Sequence, residues 1–340
     1  MSSIHTQLDL RKVPEIVGAK SCILLKQCYD VIRNTRWPLY IAGPSGSGKS
    51  IIAMNLAKKY AEERDVPAYY VQLSPEQTKT SLILGLRLDK GSLIVKNGIV
   101  AECMEKGGII IVDEATHTMQ EVLLMFNSIL DRNSVTAIGD KIVYAHPDFR
   151  IVFCANDSQY SGNVKLPQSF AQRLVCFYFD YPGPEDELQI VNKIIADECL
   201  ADDVVPEEVK KFIISLMDET RSKEYPLSVR NTAIAVVMCN LARHEFLQEN
   251  RQAIIDDYFL SGSNLESLRK AIGLRINMNH LKDIEDLQSP EIERFIEFIS
   301  SIGVDNFKKI ILQSFMYYLD VDLGFYDIQL IKDKLESTIL

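Results

Sequence analysis

The sequence predicts an α/β protein: a parallel, doubly wound sheet in the first half and helices alone in the second. Three observations carry this. Runs of β-prone apolar residues, such as Ile109, Ile110, Ile111 and Val112, suit strands buried on both faces, as in a parallel sheet. These runs alternate with segments of helical periodicity. From Pro182 onward only helical periodicity remains.

Taken in order, residues 1–13 are a polar lead-in, and 14–36 form a helix with Ile16, Ile23, Leu24, Cys28 and Ile32 on one face. A short strand at 38–42 precedes a helix that begins near Ile51, and 68–73 is a second strand. Residues 74–91 follow, containing Leu82, Ile83, Leu84, Gly85 and Leu86, and 91–106 is expected to be a helix stopped by Gly107 and Gly108. The next strand is 108–114, then an amphipathic helix over 119–131. Residues 135–137 and 142–144 flank a hairpin turn at 138–141. A buried strand at 150–156, a short helix at 168–173 and a last strand at 174–179 complete the α/β part. Helical segments are expected at 184–200, 206–217, 229–249, 263–273, from Ser289-Pro290, at 306–318 and at 327–336. The resulting division is 1–181 for the α/β core, 182–275 for a helical lid and 276–340 for a helical C-terminal extension.

Composition excludes several classes. A net charge of −10 argues against a general basic footprint for nucleic acid or an anionic membrane. Seven scattered cysteines, without C-x-x-C, read as small buried apolar residues rather than a zinc site. No apolar run is long enough for a membrane span, and no apolar segment follows a basic start. The expectation is a cytoplasmic protein.

The chemistry concentrates in a few motifs. Gly43-Pro44-Ser45-Gly46-Ser47-Gly48-Lys49-Ser50 fits G-x-x-x-x-G-K-[ST], a phosphate-binding loop. Small residues let backbone N–H groups close around a polyphosphate, and the following helix points its positive end at the anion. In such a loop Lys49 reaches the β- and γ-phosphates and Ser50 takes one Mg²⁺ position. A chance Gly/Ser turn is the bland alternative, opposed by the strand before and the helix after. Asp113 and Glu114 end the most apolar strand, where a parallel sheet places ligands. Asp113 suits Mg²⁺ and Glu114 suits the attacking water; otherwise the pair is a helix cap and a surface acid. Asn156, also at a strand end, could hold the water or the γ-phosphate, or simply form a turn.

Together these motifs and the helical second part resemble the AAA+ ATPases. Gln172-Arg173-Leu174, Phe179-Asp180-Tyr181-Pro182, Glu187 and Ile190-Val191 look like the CbbQ/NorQ/NirQ branch, related to MoxR and GvpN. Residues 156–161 and Ser228-Val229-Arg230 are similar to further motifs of that branch. The resemblance covers about residues 15–275. It implies that Asn156 is the sensor-1 residue, Arg173 an arginine finger acting across a subunit boundary, and Arg230 the sensor-2 arginine. It further implies ATP and Mg²⁺, a homo-oligomeric ring that is usually a hexamer, and a protein client or a von Willebrand A-domain adaptor. No nucleic acid is expected. The segment 82–86 is expected at the ring's channel or rim, with a buried helix end as the alternative. Departures from the branch are Asp157 for proline, Leu174 for phenylalanine, and Ala115-Thr116-His117-Thr118 where charged residues are usual. Two other classes compete: a nucleic-acid-directed or restriction-type NTPase, and a non-catalytic nucleotide-gated scaffold.

Overall fold

A computed structural model describes residues 5–76, 78, 82–89, 92–138, 141–156, 166–198, 202–221, 227–249, 289–303, 306–307 and 310–311. The chain divides into two units, Met1–Pro182 and Gly183–Leu340.

The first unit is built on a six-stranded sheet. Its strands are β1 (His5–Gln7), β2 (Leu39–Gly43), β3 (Ala68–Gln72), β6 (Gly108–Asp113), β9 (Phe149–Asn156) and β10 (Val175–Tyr178), in the order β1-β3-β6-β9-β2-β10. Five strands run parallel, and β1 pairs antiparallel with β3 at the edge. The sequence expectation of an unstructured lead-in therefore fails for His5–Gln7. These three polar residues carry no apolar signal, and backbone pairing with β3 recruits them.

Alternation within the central strands distributes side chains to two cores. Ile109 and Ile111 join Val152, Cys154, Ile52, Leu56 and Tyr60 beneath α1 (Ala19–Asn34) and α2 (Lys49–Arg64). Ile110, Val112 and Phe153 face the other way, against α3 (Ile99–Lys106), α4 (Gln120–Met125), α5 (Asn127–Leu130) and α6 (Gln168–Ala171). Phe153 meets Phe126 and Phe170 edge-on, at centroid distances of 5.2 and 5.1 Å.

Several expected boundaries change. The first helix starts at Ala19, because Gly18 adopts φ 92°, a conformation that breaks the helix before it. The expected helix over 91–106 is a helix only in α3. Before it, β4 (Leu84–Asp89) and β5 (Ser92–Asn97) form an antiparallel hairpin. The hairpin closes at Gly98, where a Cβ would lie 2.3 Å from the carbonyl oxygen of Leu82. Leu82 and Ile83 are buried in the core, which rules out a channel-facing position for these two. The helix over 119–131 is two short helices, α4 and α5, joined at Phe126, where the N–H reaches the Leu123 and Leu124 carbonyls together. The second hairpin pairs β7 (Val135–Ile138) with β8 (Lys141–Tyr144).

Cysteine burial is mixed. Cys28, Cys103, Cys154 and Cys239 are buried, and burial pushes their thiols up so that they stay neutral. Cys22 and Cys176 are exposed, contrary to the expectation of uniformly buried thiols. Cys199 lies outside the described residues.

The second unit consists, among the described residues, of α7 (Pro184–Glu198), α8 (Glu207–Arg221), α9 (Val229–Glu249) and α10 (Ser289–Ile302), with helical turns at 306–307 and 310–311. Phe298, Ile299, Ile302, Phe307, Ile310 and Ile311 share one core with Val191, Val209, Ile213, Met217 and Val236. The helices expected at 263–273 and 327–336 lie outside the described residues. A buried ion pair locks this unit: Glu187 is fully buried and accepts from both terminal nitrogens of Arg221, at 2.6 and 2.7 Å. The Thr232 hydroxyl donates to the same carboxylate at 2.6 Å. Glu187→Ala would leave the buried guanidinium with only the exposed Asp218, at 3.5 Å, as counter-charge among the described residues. It is expected to destabilise this unit by about 3–5 kcal/mol, read as a lower urea midpoint by circular dichroism.

Candidate active site

The C-terminal ends of β2, β6 and β9 bring the sequence-predicted residues together. Register places Gly43 opposite Asn156, and Asp113 ends the strand on the far side of β9. Gly43 is required by close approach, since a Cβ there would lie 2.0 Å from the Phe179 carbonyl oxygen. Gly48 has φ 101°, in the left-handed region, and turns the loop into α2. The run after β10 braces the loop. The N–H of Phe179 donates to the Ala42 carbonyl at 2.7 Å, and the Tyr181 hydroxyl donates to the Ser45 carbonyl at 3.0 Å.

Lys49 and Ser50 open α2. The buried Lys49 ammonium donates to the Pro44 carbonyl at 2.6 Å and to Asn156 Oδ1 at 3.0 Å. Ser50 Oγ donates to Asp113 Oδ2 at 2.7 Å. Asn156 Nδ2 in turn donates to Glu114 Oε2 at 3.3 Å. Lys49, Asn156 and Glu114 are thus one connected chain, with Ser50 and Asp113 beside it. His117 Nδ1 approaches Glu114 Oε2 at 3.0 Å.

Sequence reasoning missed Tyr70. Its hydroxyl donates to Asp113 Oδ2 at 2.8 Å from the neighbouring strand β3. Burial, reinforced by the Asp113 carboxylate, pushes the phenol up, so it remains a donor. Only the β3–β6 register could have revealed it.

The arrangement fits a polyphosphate with a hard divalent cation. Ser47 Oγ is buried in the loop with no hydrogen-bond partner among the described residues, an orphan that a phosphate oxygen would satisfy. The Ser50 hydroxyl and Asp113 carboxylate are oxygen donors of the kind Mg²⁺ takes alongside phosphate and water.

Arg173 takes no part in this hydrogen-bonded chain. Arg173 donates from Nε to Asp131 Oδ1 at 2.6 Å and from a terminal nitrogen to the Ser169 carbonyl. Arg230 is exposed near the start of α9, in the second unit. Of the segment resembling the branch after Asn156, residues 157–161 lie outside the described residues.

Among the described residues, no helix is long and apolar enough to cross a membrane. The profile of the AAA domain (dynein-related subfamily) matches residues 38–174. The chain is 30% identical over 165 residues to protein CbbQ of Hydrogenophilus thermoluteolus, covering 48% of this chain and 60% of that protein. It is 25% identical over 246 residues to the gas vesicle ATPase GvpN of Haloferax mediterranei, covering 64% of this chain and 67% of that one. The chain therefore spans less than two thirds of CbbQ and about two thirds of GvpN. The crystal structure of NtrX from Brucella abortus superposes with a TM-score of 0.50 at 17% identity, covering 90% of this chain and 70% of that one. At that identity the likeness concerns the fold alone. Residues 38–174 therefore match an AAA domain, and the chain is similar to CbbQ, NorQ, NirQ and GvpN.

Proposed function

We propose that this chain hydrolyses ATP as a homo-oligomeric ring, a hexamer in the simplest form, and uses the energy to remodel or activate a protein partner. The observation that carries this is the hydrogen-bonded chain from Lys49 through Asn156 to Glu114, beside Ser50 and Asp113. It links a phosphate-binding cation to a carboxylate able to take a proton from water. Backbone N–H groups of residues 43–48 and the N-terminus of α2 would hold the phosphates. Lys49 would exchange its bonds to Pro44 and Asn156 for the β- and γ-phosphates. Ser50 and Asp113 would hold Mg²⁺, which supplies charge neutralisation on the phosphates when bound. Glu114 would orient the attacking water and accept its proton, while Asn156 faces the γ-phosphate. Arg173 would serve a neighbouring copy, and Arg230 would sense the nucleotide from the second unit.

The test begins with ATP turnover in Mg²⁺. Lys49→Ala is expected to weaken ATP binding by about 10–100-fold, the worth of a charged hydrogen bond, read by calorimetry. An ATP-loaded ring is expected to retain a protein partner, an adaptor with a von Willebrand A domain being the candidate suggested by family. A DNA-stimulated rate that falls steeply with salt would overturn the protein-partner reading.

Tyr70→Phe gives a finer test of the metal-holding pair. Removing the donor on Asp113 is expected to raise the Mg²⁺ concentration for half-maximal turnover by about 10-fold. Unchanged Mg²⁺ dependence would show that Tyr70 is only a packing residue.

A further inference from the structure

We propose that His117 is a positioning residue for Glu114, a role that rests on the ATPase reading above. Glu114 has φ 55°, in the left-handed region, without being glycine. Such a conformation is strained and persists where surrounding bonds impose it. Three of those bonds are backbone-anchored. The Glu114 N–H donates to Asp113 Oδ1 at 2.9 Å, the Ala115 N–H to the Cys154 carbonyl at 2.9 Å, and the His117 N–H to the Glu114 carbonyl at 2.8 Å. The last of these closes a turn that folds the His117 ring back onto the carboxylate.

The side chain is held in a specific way. His117 Nδ1 at 3.0 Å and Asn156 Nδ2 at 3.3 Å both reach Oε2. Two donors on one oxygen leave Oε1 for a water. The two holds differ in what ATP does to them. Asn156 also accepts from Lys49, so a γ-phosphate that engages Lys49 and Asn156 competes for this hold. His117 comes from the turn after the strand and stays on Glu114 whether or not phosphate is present. It also lies closer to Oε2, at 3.0 Å against 3.3 Å. His117 therefore keeps the carboxylate aimed during the interval in which Asn156 is drawn to the nucleotide. Its side chain is 41% exposed, so replacing it removes little packing.

Two measurements on the full chain test this. In the nucleotide-free protein with ¹⁵N-labelled histidine, His117 is expected to carry its proton on Nδ1 and to revert to the Nε2–H form in Glu114→Ala; the signal is assigned by its loss in His117→Asn. In steady-state hydrolysis, His117→Leu is expected to lower kcat about tenfold, one charge-assisted hydrogen bond, with KM for ATP within about twofold. His117→Asn is expected to restore most of that loss, because its amide nitrogen is as many bonds from Cα as Nδ1. In a Glu114→Gln background, His117→Leu is expected to change the residual rate no further. A tautomer indifferent to Glu114, or His117→Asn as slow as His117→Leu while the unmodified chain turns over, overturns this role alone. No turnover by the unmodified chain overturns the ATPase reading, and this role with it.

Discussion

Glu114→Gln is expected to bind ATP with near-normal affinity and to hydrolyse it about 10²–10⁴-fold more slowly, the usual worth of a positioned general base. The amide keeps the size of the carboxylate and can still accept from Asn156 and His117 through its oxygen. What it loses is the capacity to take a proton from water. Because Lys49, Ser50 and Asp113 are untouched, binding is preserved. Fluorescent-nucleotide titration against phosphate release separates the two quantities. Hydrolysis at the unmodified rate would remove Glu114 from its assigned role and leave the connected chain from Lys49 without a chemical end.

Arg173→Ala is expected to lower turnover by roughly 10³–10⁵, the range for arginine fingers in other NTPases, while hardly affecting stability. In the single chain Arg173 rests on Asp131, and that carboxylate is 53% exposed. A pair of this kind contributes at most about 1 kcal/mol, so losing it should move the melting midpoint by no more than about 2–4 °C. The same weakness lets the guanidinium leave Asp131 for a phosphate presented by a neighbouring copy. Mixed assemblies of Arg173→Ala and Lys49→Ala chains are expected to recover part of the activity, because an intact loop then meets an intact finger. Mixed rings that assemble and recover nothing would place Arg173 outside the reaction.

The site was more legible than the fold around it, and for a physical reason. A phosphate loop is contiguous, so residues 43–50 declare their chemistry without knowledge of their neighbours. Asp113 and Glu114 were legible because four buried β-prone residues precede them, which places them at the ligand end of a parallel strand. Tyr70 was not, because its role depends on which strand lies beside β6, and nothing local encodes that. The β4–β5 hairpin was missed because leucines and valines at short range suit helix and strand alike. What decides for the hairpin is the close pass of Gly98 to Leu82. The engagement of His117 with Glu114 needed the turn geometry as well as the composition of 115–118.

The order of strands also dictates the order in which this molecule can be made. Strand β2 is synthesised well before its partners β9 and β10, which lie at Val152 and Val175, far downstream. Until β9 has been synthesised, β2 has no ladder on either side, and until residue 179 has, the loop after it lacks the Phe179 backbone against which Gly43 packs. Long-range parallel pairing of this kind is slow, because chain closure precedes its reward. A nascent chain halted before residue 149 should therefore expose the apolar faces of β2 and α2, and one halted before residue 179 should gain no protection from ATP. Nucleotide can stabilise the finished first unit, by an amount set by its concentration relative to Kd, but cannot guide the chain there.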